Sequence, residues 1–475
     1  MFRRWPALIM ILALSALLSG CNFRAGDDLY TLPKTSVEYD SLRSSIQSIL
    51  DSGMEYAAPL SGSNAQPVQD IDLDGDGKGE VVAFFRSSTG LQVSVFWQNN
   101  NGEFEEQTTI TGQGSAVNSV SYAQLDGKDN REIVLSWQIS SGVYALSAYS
   151  VARGNSVELL APRNYTRYAV TDLDANGQDE LVLILLDASD SSSNRAEYYL
   201  WQDGGLTKAE EVRLSEDLTV IDKTRVSALC DGHSALFITG NVSDTGESSS
   251  RTQLTDILAL RDGALTNVTW NENAKSSLRT KRRLFVSDQD LDGDGVWEIP
   301  IISSLYERME DGEVVPSDNF CLVTWMQFDL QGTPVELCST YYNVSDGWYL
   351  SIPREWGDQV ALSRREYSLG STTERSIDFY ALIPVDASRD TSLEESMDMG
   401  RSVLTNVRCQ QFMTIHKNTG ADRKQRAGQE GRTNLGLDTE EATYCVEFAQ
   451  NNWSDWTADT VKENMHIITT SWFND

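Results

Sequence analysis

Three short acidic stretches of one design constrain this chain more than any other feature. They are Asp72–Glu80, Asp172–Glu180 and Asp290–Glu298. Each has oxygen-bearing side chains at positions 1, 3 and 5, a glycine at position 6 and a glutamate at position 9. Alternate residues of a tight loop can converge on one point, and a calcium ion accepts roughly six to eight oxygen ligands. The pattern therefore indicates three calcium-binding loops.

The opening of each stretch also fits an EF-hand loop, but that loop needs a bidentate acid at position 12 and a helix after it. Position 12 is Ala83, Leu183 and Ile301 in the three stretches. Short apolar runs, rich in β-branched residues, follow each glutamate, and such runs are typical of buried strands. The EF-hand interpretation is therefore excluded, and the loops are expected to lie between strands.

The acidic stretch belongs to a longer repeat. It recurs every 50 to 60 residues, at Asp72, Gln124, Asp172, near Ala228 and at Asp290. Each repeat has a strand before the loop, an apolar strand after it, an aromatic-rich strand, a glycine-containing turn and a more polar strand. Four strands per repeat, with a loop at a fixed place, are typical of propeller blades. We predict an all-β fold, a β-propeller of seven four-stranded blades over residues 61–475, less regular after residue 340.

An amphipathic helix is predicted ahead of the propeller, within residues 36–60. Apolar residues recur there at helical spacing from Ser36 to about Ser52, namely Val37, Leu42, Ile46, Ile49 and Leu50. We expect this helix to pack on the domain that follows it.

The amino terminus has the layout of an export signal. Arg3 and Arg4 precede an apolar run, and Leu18–Cys21 resembles the bacterial lipoprotein box. Residues 1–20 are thus predicted to be a signal peptide, Cys21 the lipidated first residue of the mature chain, and residues 21–35 a tether. The predicted location is extracytoplasmic, on a bacterial cell membrane, with the lipid as the only membrane anchor. The alternative is a plain signal peptide with an incidental cysteine.

The formal net charge is −32, and the sequence has no block of lysine and arginine. Such a charge disfavours polyanionic partners, so no nucleic acid partner is expected. Bound divalent cations would reduce the repulsion among the carboxylates, although simple solubility accounts for most of them equally well.

The repeated Asp-Leu-Asp-Gly-Asp-Gly-x-x-Glu pattern, followed by hydrophobic residues, resembles the FG-GAP and VCBS-type repeats of integrin-like β-propellers. The resemblance is close over residues 68–86, 168–186 and 286–302, and holds only in outline for the second and fourth repeats. It implies calcium sites in the hairpin loop between two strands of a blade. It also implies ligand binding or adhesion rather than catalysis.

Carried over position by position, the resemblance assigns five calcium ligands to each loop, four side chains and the carbonyl of the residue at position 7. The three sets are Asp72, Asp74, Asp76, Lys78 and Glu80; Asp172, Asp174, Asn176, Gln178 and Glu180; and Asp290, Asp292, Asp294, Val296 and Glu298. Family loops more often end in aspartate, so the longer glutamate leaves both monodentate and bidentate coordination open.

The second and fourth loops depart from the pattern. Lys128 holds a ligand position in the second loop, where its ammonium could take the place of a cation. The fourth loop keeps only Cys230–His233 and is expected to bind nothing. For all the loops, the alternative to a metal site is an Asp/Gly turn without metal.

Five cysteines remain after Cys21. Cys321 and Cys338 lie symmetrically about the predicted turn at Asp329–Gln331, so an antiparallel hairpin would place them opposite each other within disulfide range. The sequence is compatible with both a bridge and free thiols.

No catalytic motif is found, and the three histidines are scattered. We therefore predict a monomeric, calcium-binding module, not an enzyme, that recognises a glycan or an envelope or surface protein. Trp348, Trp356, Trp453 and Trp456 are the tryptophans expected to lie at the surface, where aromatic rings can anchor a partner. An envelope scaffold and a polysaccharide-active enzyme on a propeller remain alternatives.

Overall fold

The computed structural model describes residues 37–112, 114–242, 252–283, 286–369, 371–385, 404 and 406–468. The predicted signal peptide, Cys21 and the tether lie outside these residues. The described residues form two compact units. One unit contains the residues up to Ala123 together with Asp129–Arg163, and the other contains Gln124–Lys128 and the residues from Asn164 onward.

The predicted N-terminal helix is confirmed as α1, Val37–Asp51. Its apolar face carries Leu42 and Ile46, both buried, and these pack against Phe85 and Phe104 in the first unit. The hydroxyl oxygen of Ser41 accepts a hydrogen bond from the backbone N–H of Phe104 at 2.8 Å. The helix is therefore fixed to its neighbouring sheet by an apolar stripe and one polar contact.

The first unit contains two antiparallel sheets. In the first sheet β1 and β2 both pair with β3, and β3, β4 and β5 follow one another. Its strands are β1 Glu55–Tyr56, β2 Val68–Ile71, β3 Glu80–Ser87, β4 Gly90–Gln98 and β5 Phe104–Gly112. The second sheet has the strands β6 Ala116–Ala123, β7 Glu132–Ser140, β8 Val143–Ala152 and β9 Asn155–Tyr165, in that order.

The second unit begins with two similar sheets, each in sequential order, with β18 added beside β16 in the second of them. The third sheet has the strands β10 Arg167–Thr171, β11 Glu180–Leu185, β12 Arg195–Gln202 and β13 Gly205–Arg213. The fourth has β14 Leu218–Ala228, β15 Ser234–Val242, β16 Thr252–Arg261, β17 Ala264–Asn267 and β18 Arg282–Arg283. Two 3₁₀ turns, Ser191–Ser193 and Leu278–Thr280, lie between strands.

The remaining strands form one ten-stranded sheet with the order β26-β27-β25-β24-β23-β19-β20-β21-β22-β28. They are β19 Ile299–Arg308, β20 Val314–Phe328, β21 Pro334–Asn343, β22 Trp348–Ile352, β23 Val360–Leu369, β24 Thr372–Pro384, β25 Val407–Thr419, β26 Arg432–Asp438, β27 Ala442–Phe448 and β28 Met465–Ile467. Three short helices accompany them, α2 Trp356–Gln359, α3 Arg423–Ala427 and α4 Ala458–Asn464.

The all-β class is confirmed, and the first four sheets are consistent with propeller blades of the predicted four-stranded type. The expected separation of the last three repeats into blades of their own is wrong in the described residues. Strand β19 pairs in parallel with β23, with Tyr306 opposite Ala361, and this pairing joins two strand groups into one sheet. Strand patterns in a sequence show which residues are extended but not which edges meet, so this junction was not predicted.

The strands that leave the acidic loops are buried on both faces. Residues Glu80–Phe85 of β3 and Glu180–Ile184 of β11 are all buried. Residues covered on both faces need apolar side chains at consecutive positions rather than at alternate ones. This burial explains the continuous apolar runs seen after each loop in the sequence.

Candidate metal centre

The acidic loops lie where the repeat pattern predicts them, at the start of a buried strand. The first loop joins β2 to β3, and the second complete loop joins β10 to β11. The last complete loop precedes β19, and its ends are held by a bridge between Gln289 and Glu298. The strands predicted to follow each loop are therefore confirmed.

The first aspartate of each loop accepts hydrogen bonds from the loop backbone. In the first loop Asp72 Oδ1 accepts from the N–H of Gly75 at 2.8 Å, and Oδ2 accepts from that of Gly77 at 3.0 Å. Asp290 accepts in the same way from Gly293 at 2.7 Å and Gly295 at 3.0 Å. These bonds curl the backbone around the carboxylate.

The middle complete loop has the same arrangement with a small difference. Asp172 accepts from the N–H groups of Asn176 at 3.0 Å and Gly177 at 2.8 Å. The side-chain amide of Asn176 donates to Asp174 Oδ2 at 2.9 Å. An asparagine at position 5 thus keeps the loop closed where the other two loops have aspartate.

The glycine at position 6 has a positive φ in all three loops, as predicted. The values are 83° at Gly77, 86° at Gly177 and 86° at Gly295. A side chain in this region of φ is disfavoured by contacts with the backbone, and glycine avoids that cost.

The glutamate at position 9 lies at the base of the loop and is buried. Glu80, Glu180 and Glu298 are 3%, 2% and 0% exposed. One oxygen of each accepts the N–H of the leucine at position 2, at 2.8 Å from Leu73 and 2.9 Å from Leu173. This hydrogen bond fixes a carboxylate beneath the two aspartates at positions 1 and 3.

Burial changes the protonation of these glutamates. Desolvation raises the pKa of Glu80 to about 7, against a hydrogen bond from Leu73 that lowers it, and the carboxylates of Asp74 and Asp76 raise it further. Desolvation likewise raises the pKa of Glu180 to about 7, with Asp172 and Asp174 adding to the effect. A buried carboxylate among other carboxylates is costly, and a bound cation would offset that cost.

Carboxylate oxygens converge in each complete loop. One oxygen from each of Asp72, Asp74 and Glu80 lies within 4.8 Å of the other two, and the same holds for the corresponding residues of the third repeat, Asp172, Asp174 and Glu180. Hard oxygen donors at this spacing suit calcium, so the residues present fit the ion. The carbonyls of Lys78, Gln178 and Val296 stay predicted ligands.

The last complete loop differs from the other two. Its converging carboxylates are Asp290, Asp292 and Asp294, and Glu298 does not belong to this group. Both oxygens of Glu298 accept other hydrogen bonds, Oε2 from the N–H of Leu291 and Oε1 from the side-chain amide of Gln327, each at 2.7 Å. The assignment of Glu298 by analogy with the other loops therefore does not describe its contacts in the structure.

The second loop contains the lysine contact considered in the sequence. The ammonium of Lys128 contacts the buried carboxylate of Asp126, and the N–H of Lys128 donates to the same carboxylate at 3.0 Å. This places a fixed positive charge in the loop. In the fourth loop, Asp231 accepts instead from the N–H of Leu330 at 2.9 Å and lies 3.0 Å from His233.

The complete loops of the second unit are also tied to the loop of the preceding repeat. The N–H of Asp179 donates to the carbonyl of Gln124 at 2.8 Å, and the side chain of Gln178 donates to that of Leu125 at 2.6 Å. Likewise the N–H of Ala228 donates to the carbonyl of Gly295 at 3.2 Å. Nothing in the spacing of the acidic residues indicates these contacts.

The expected alignment of Cys321 with Cys338 is wrong. Cys321 pairs with Tyr342 across the ladder and Cys338 pairs with Trp325, and both cysteines are free. The turn is centred one residue later than predicted, and a bulge between Trp325 and Met326 shifts the register again. The two thiols are therefore four positions apart along the strands.

The expected surface tryptophans divide into two groups. Trp348 and Trp356 are 1% and 4% exposed, so their assignment to the surface is wrong. Trp453 is 36% exposed, and its ring lies 6.2 Å from that of Trp356. Trp456 is half-buried, 4.7 Å from the same ring.

Comparison of the sequence with protein families matches the FG-GAP-like repeat over residues 72–135. Residues 72–135 are an FG-GAP-like repeat. This repeat contains the first acidic loop, the sheet that follows it and the second loop with Lys128. A comparison with curated proteins finds no match.

Among solved structures, the chain is similar to three proteins at low identity. The Saccharomyces cerevisiae core factor has 10% identity and a TM-score of 0.21, and the match covers 84% of this chain and 58% of that one. A hypothetical selenium-binding protein from Sulfolobus tokodaii has 10% identity and a TM-score of 0.22, over 64% and 71% of the two chains. A mutant of AofleA from Arthrobotrys oligospora has 8% identity and a TM-score of 0.21, over 77% and 90%. These scores are too low to indicate a shared fold.

Within the described residues, no helix has both the length and the apolar character that crossing a membrane requires.

Proposed function

We propose that this protein is a calcium-stabilised binding module, attached to the outside of a bacterial membrane through a lipid on Cys21, which recognises a glycan or an envelope protein. The single observation that carries the calcium part is the convergence of carboxylate oxygens in three loops at the same place in the repeat. The FG-GAP-like repeat at residues 72–135 supports a binding role.

Calcium has a clear task in this proposal. Each complete loop holds a buried glutamate beside exposed or half-buried aspartates, and their mutual repulsion opposes folding. An ion that binds only the folded loop stabilises it by about 2.7 kcal/mol per site when free calcium is about 100 times the Kd. The expected sites are those at Asp72, Asp172 and Asp290.

The calcium test is a thermal melt of the purified chain with calcium and with excess chelator, together with elemental analysis of the protein. Calcium is expected to raise the melting temperature, and magnesium at the same concentration to raise it less. A matched variant, Asp72→Asn with Asp172→Asn and Asp290→Asn, should lose most of the calcium effect. Identical melting curves in calcium and chelator, with no metal bound, would contradict the proposal.

Recognition is assigned to exposed surface groups. Trp453 presents part of its ring to solvent while packed against Trp356, and a ring held rigid in this way can stack on a sugar or enter a partner's surface. A glycan array and a pull-down from envelope proteins, both in calcium, would identify the ligand. Trp453→Ala should weaken capture, whereas Tyr367→Ala, at another exposed aromatic residue, is the control.

Attachment to the membrane is tested separately. Labelling of growing bacteria with a radioactive fatty acid should mark the wild-type chain and leave Cys21→Ala unmarked. A chain that is exported but never labelled would remove the lipid anchor from the proposal without affecting the calcium sites.

A further inference from the structure

Gln327 distinguishes the last complete acidic loop from the other two. It lies on β20 one residue after Met326, which pairs with Ile299 at the start of β19. The corresponding residue is Trp97 in the first sheet, after Phe96, and Leu200 in the third sheet, after Tyr199. Thus only one of these three positions carries a primary amide.

The amide of Gln327 is directed at the glutamate of its own loop. Its Nε2 donates to Glu298 Oε1 at 2.7 Å, and the Gln327 side chain is buried, with 8% of the residue exposed. A primary amide nitrogen is only a donor, so its positive end faces the carboxylate. The same positive end opposes a cation approaching that oxygen.

The carboxylates of the three loops converge differently as a result. In the first and third repeats the converging group includes the buried glutamate, Glu80 or Glu180. In the fifth repeat it contains Asp290, Asp292 and Asp294, the last two of which are exposed. Glu180 has a neighbouring donor too, the hydroxyl of Tyr198, but a hydroxyl can rotate and an amide nitrogen cannot accept.

We propose that Gln327 is an affinity-determining residue that makes the site at Asp290 weaker and more readily exchanged than the sites at Asp72 and Asp172. This inference rests on the proposed calcium binding of the loops. The chain then has two calcium sites that stay filled and one that responds to the calcium concentration around the protein. The ligands of the responsive site are the three aspartates, and Glu298 stays bonded to Gln327.

Calcium titration of the metal-free, full chain by calorimetry tests this. The wild type is expected to show two tight sites and one site about tenfold weaker, because a buried hydrogen bond to a charged group is of that strength. Asp290→Asn should remove the weaker site and leave the two tight ones. Gln327→Met, nearly isosteric and without a donor, should tighten the weaker site about tenfold with the number of sites unchanged.

Two further variants complete the design. Leu200→Gln installs an amide at the matching position of the third repeat, and it should convert one tight site into a second weak one. Gln253→Met removes another buried glutamine that donates to a carboxylate, Asp222, at 2.7 Å, and it should leave calcium binding unchanged. Gln327→Leu repeats the main test if the methionine variant does not fold, as judged by circular dichroism.

The outcomes separate the two ideas. A weaker site that loosens or does not change in Gln327→Met, or three equal sites in the wild type, would overturn the role of Gln327 and leave calcium binding intact. A wild-type chain that binds no calcium would overturn the proposed function and this inference together.

Discussion

The side-chain amide of Gln178 donates a hydrogen bond to the carbonyl oxygen of Leu125, 2.6 Å away. Gln178 belongs to the acidic loop of the third repeat and Leu125 to the loop of the second. The loop that is predicted to hold an ion is therefore also an attachment point for its neighbour in the same unit. This double use links ion binding to the order of the preceding loop.

Gln178→Ala tests that link. Removing the amide leaves the Leu125 carbonyl without this donor, and we expect a loss of about 1 kcal/mol in the free energy of unfolding. Urea denaturation in calcium measures it, and amide hydrogen exchange of residues 124–128 should speed up in the variant. Gln202→Ala, at an exposed strand end, is the control and should change neither quantity. Equal exchange in wild type and variant would show that the contact does not order the second loop.

The position-6 glycines offer a test of the loop backbone. Gly177 has a φ of 86°, and a β-carbon placed there meets no atom within 4 Å. The cost of Gly177→Ala is therefore conformational alone, about 1 to 2 kcal/mol. Gly177→Asn should cost less, because asparagine tolerates this region better. Thermal melts compare the two with Gly428→Ala, whose backbone has negative φ and ordinary contacts.

Much of this architecture could be predicted from the sequence because it depends on local patterns. The strand that begins at Glu80 is a continuous apolar run, the loop before it needs a glycine at Gly77, and α1 shows a helical stripe. Each of these features is set by residues close together in the chain. The loop positions and the helix were accordingly predicted within about two residues.

The features that were missed depend on contacts between distant residues. The parallel pairing of Tyr306 with Ala361 joins strands over 50 positions apart, and no local pattern specifies it. The register that separates Cys321 from Cys338 depends on one bulge. The burial of Trp348 follows from the sheet pairing that surrounds it. The amide that reaches Glu298 comes from a neighbouring strand, so the loop sequence alone could not show that this site differs.

Glu80→Gln should have opposite effects on the free protein and on the calcium complex. The glutamine oxygen can still accept the N–H of Leu73, while the buried charge near Asp74 and Asp76 is removed. In chelator the variant should therefore be at least as stable as wild type at pH 7.5. In calcium it should lose a negatively charged ligand, with an affinity lower by at least about tenfold. Melting curves in both conditions check this, and a variant destabilised equally in both would show that Glu80 is structural only.

The last prediction concerns an ionic cluster in the ten-stranded sheet, far in sequence from the acidic loops. Glu374 is half-buried and lies 2.7 Å from the guanidinium of Arg432, 3.4 Å from that of Arg426 and 3.0 Å from His416 Nδ1. Glu447 also faces His416, at 3.4 Å. Burial would raise the pKa of Glu374, but Arg432 and His416 outweigh it, and the pKa is lowered from its ordinary value of 4.5.

A carboxylate with a lowered pKa stabilises the folded state fully above the pKa of the unfolded chain, and this contribution is lost as pH falls through the folded value. At pH 7 we expect Glu374→Gln to reduce the free energy of unfolding by about 2 kcal/mol, the size of a hydrogen bond between charged groups. The difference from wild type should shrink as the pH falls below about 4.5, because protonated Glu374 then resembles glutamine. Urea denaturation in chelator between pH 3.5 and 7 measures this without a contribution from bound calcium. Glu366→Gln, an exposed partner of Arg375, is the matched control and should change stability by less than about 1 kcal/mol throughout. A gap between Glu374→Gln and wild type that stays constant down to the lowest pH would mean that packing, and not the charge on Glu374, is what the cluster contributes.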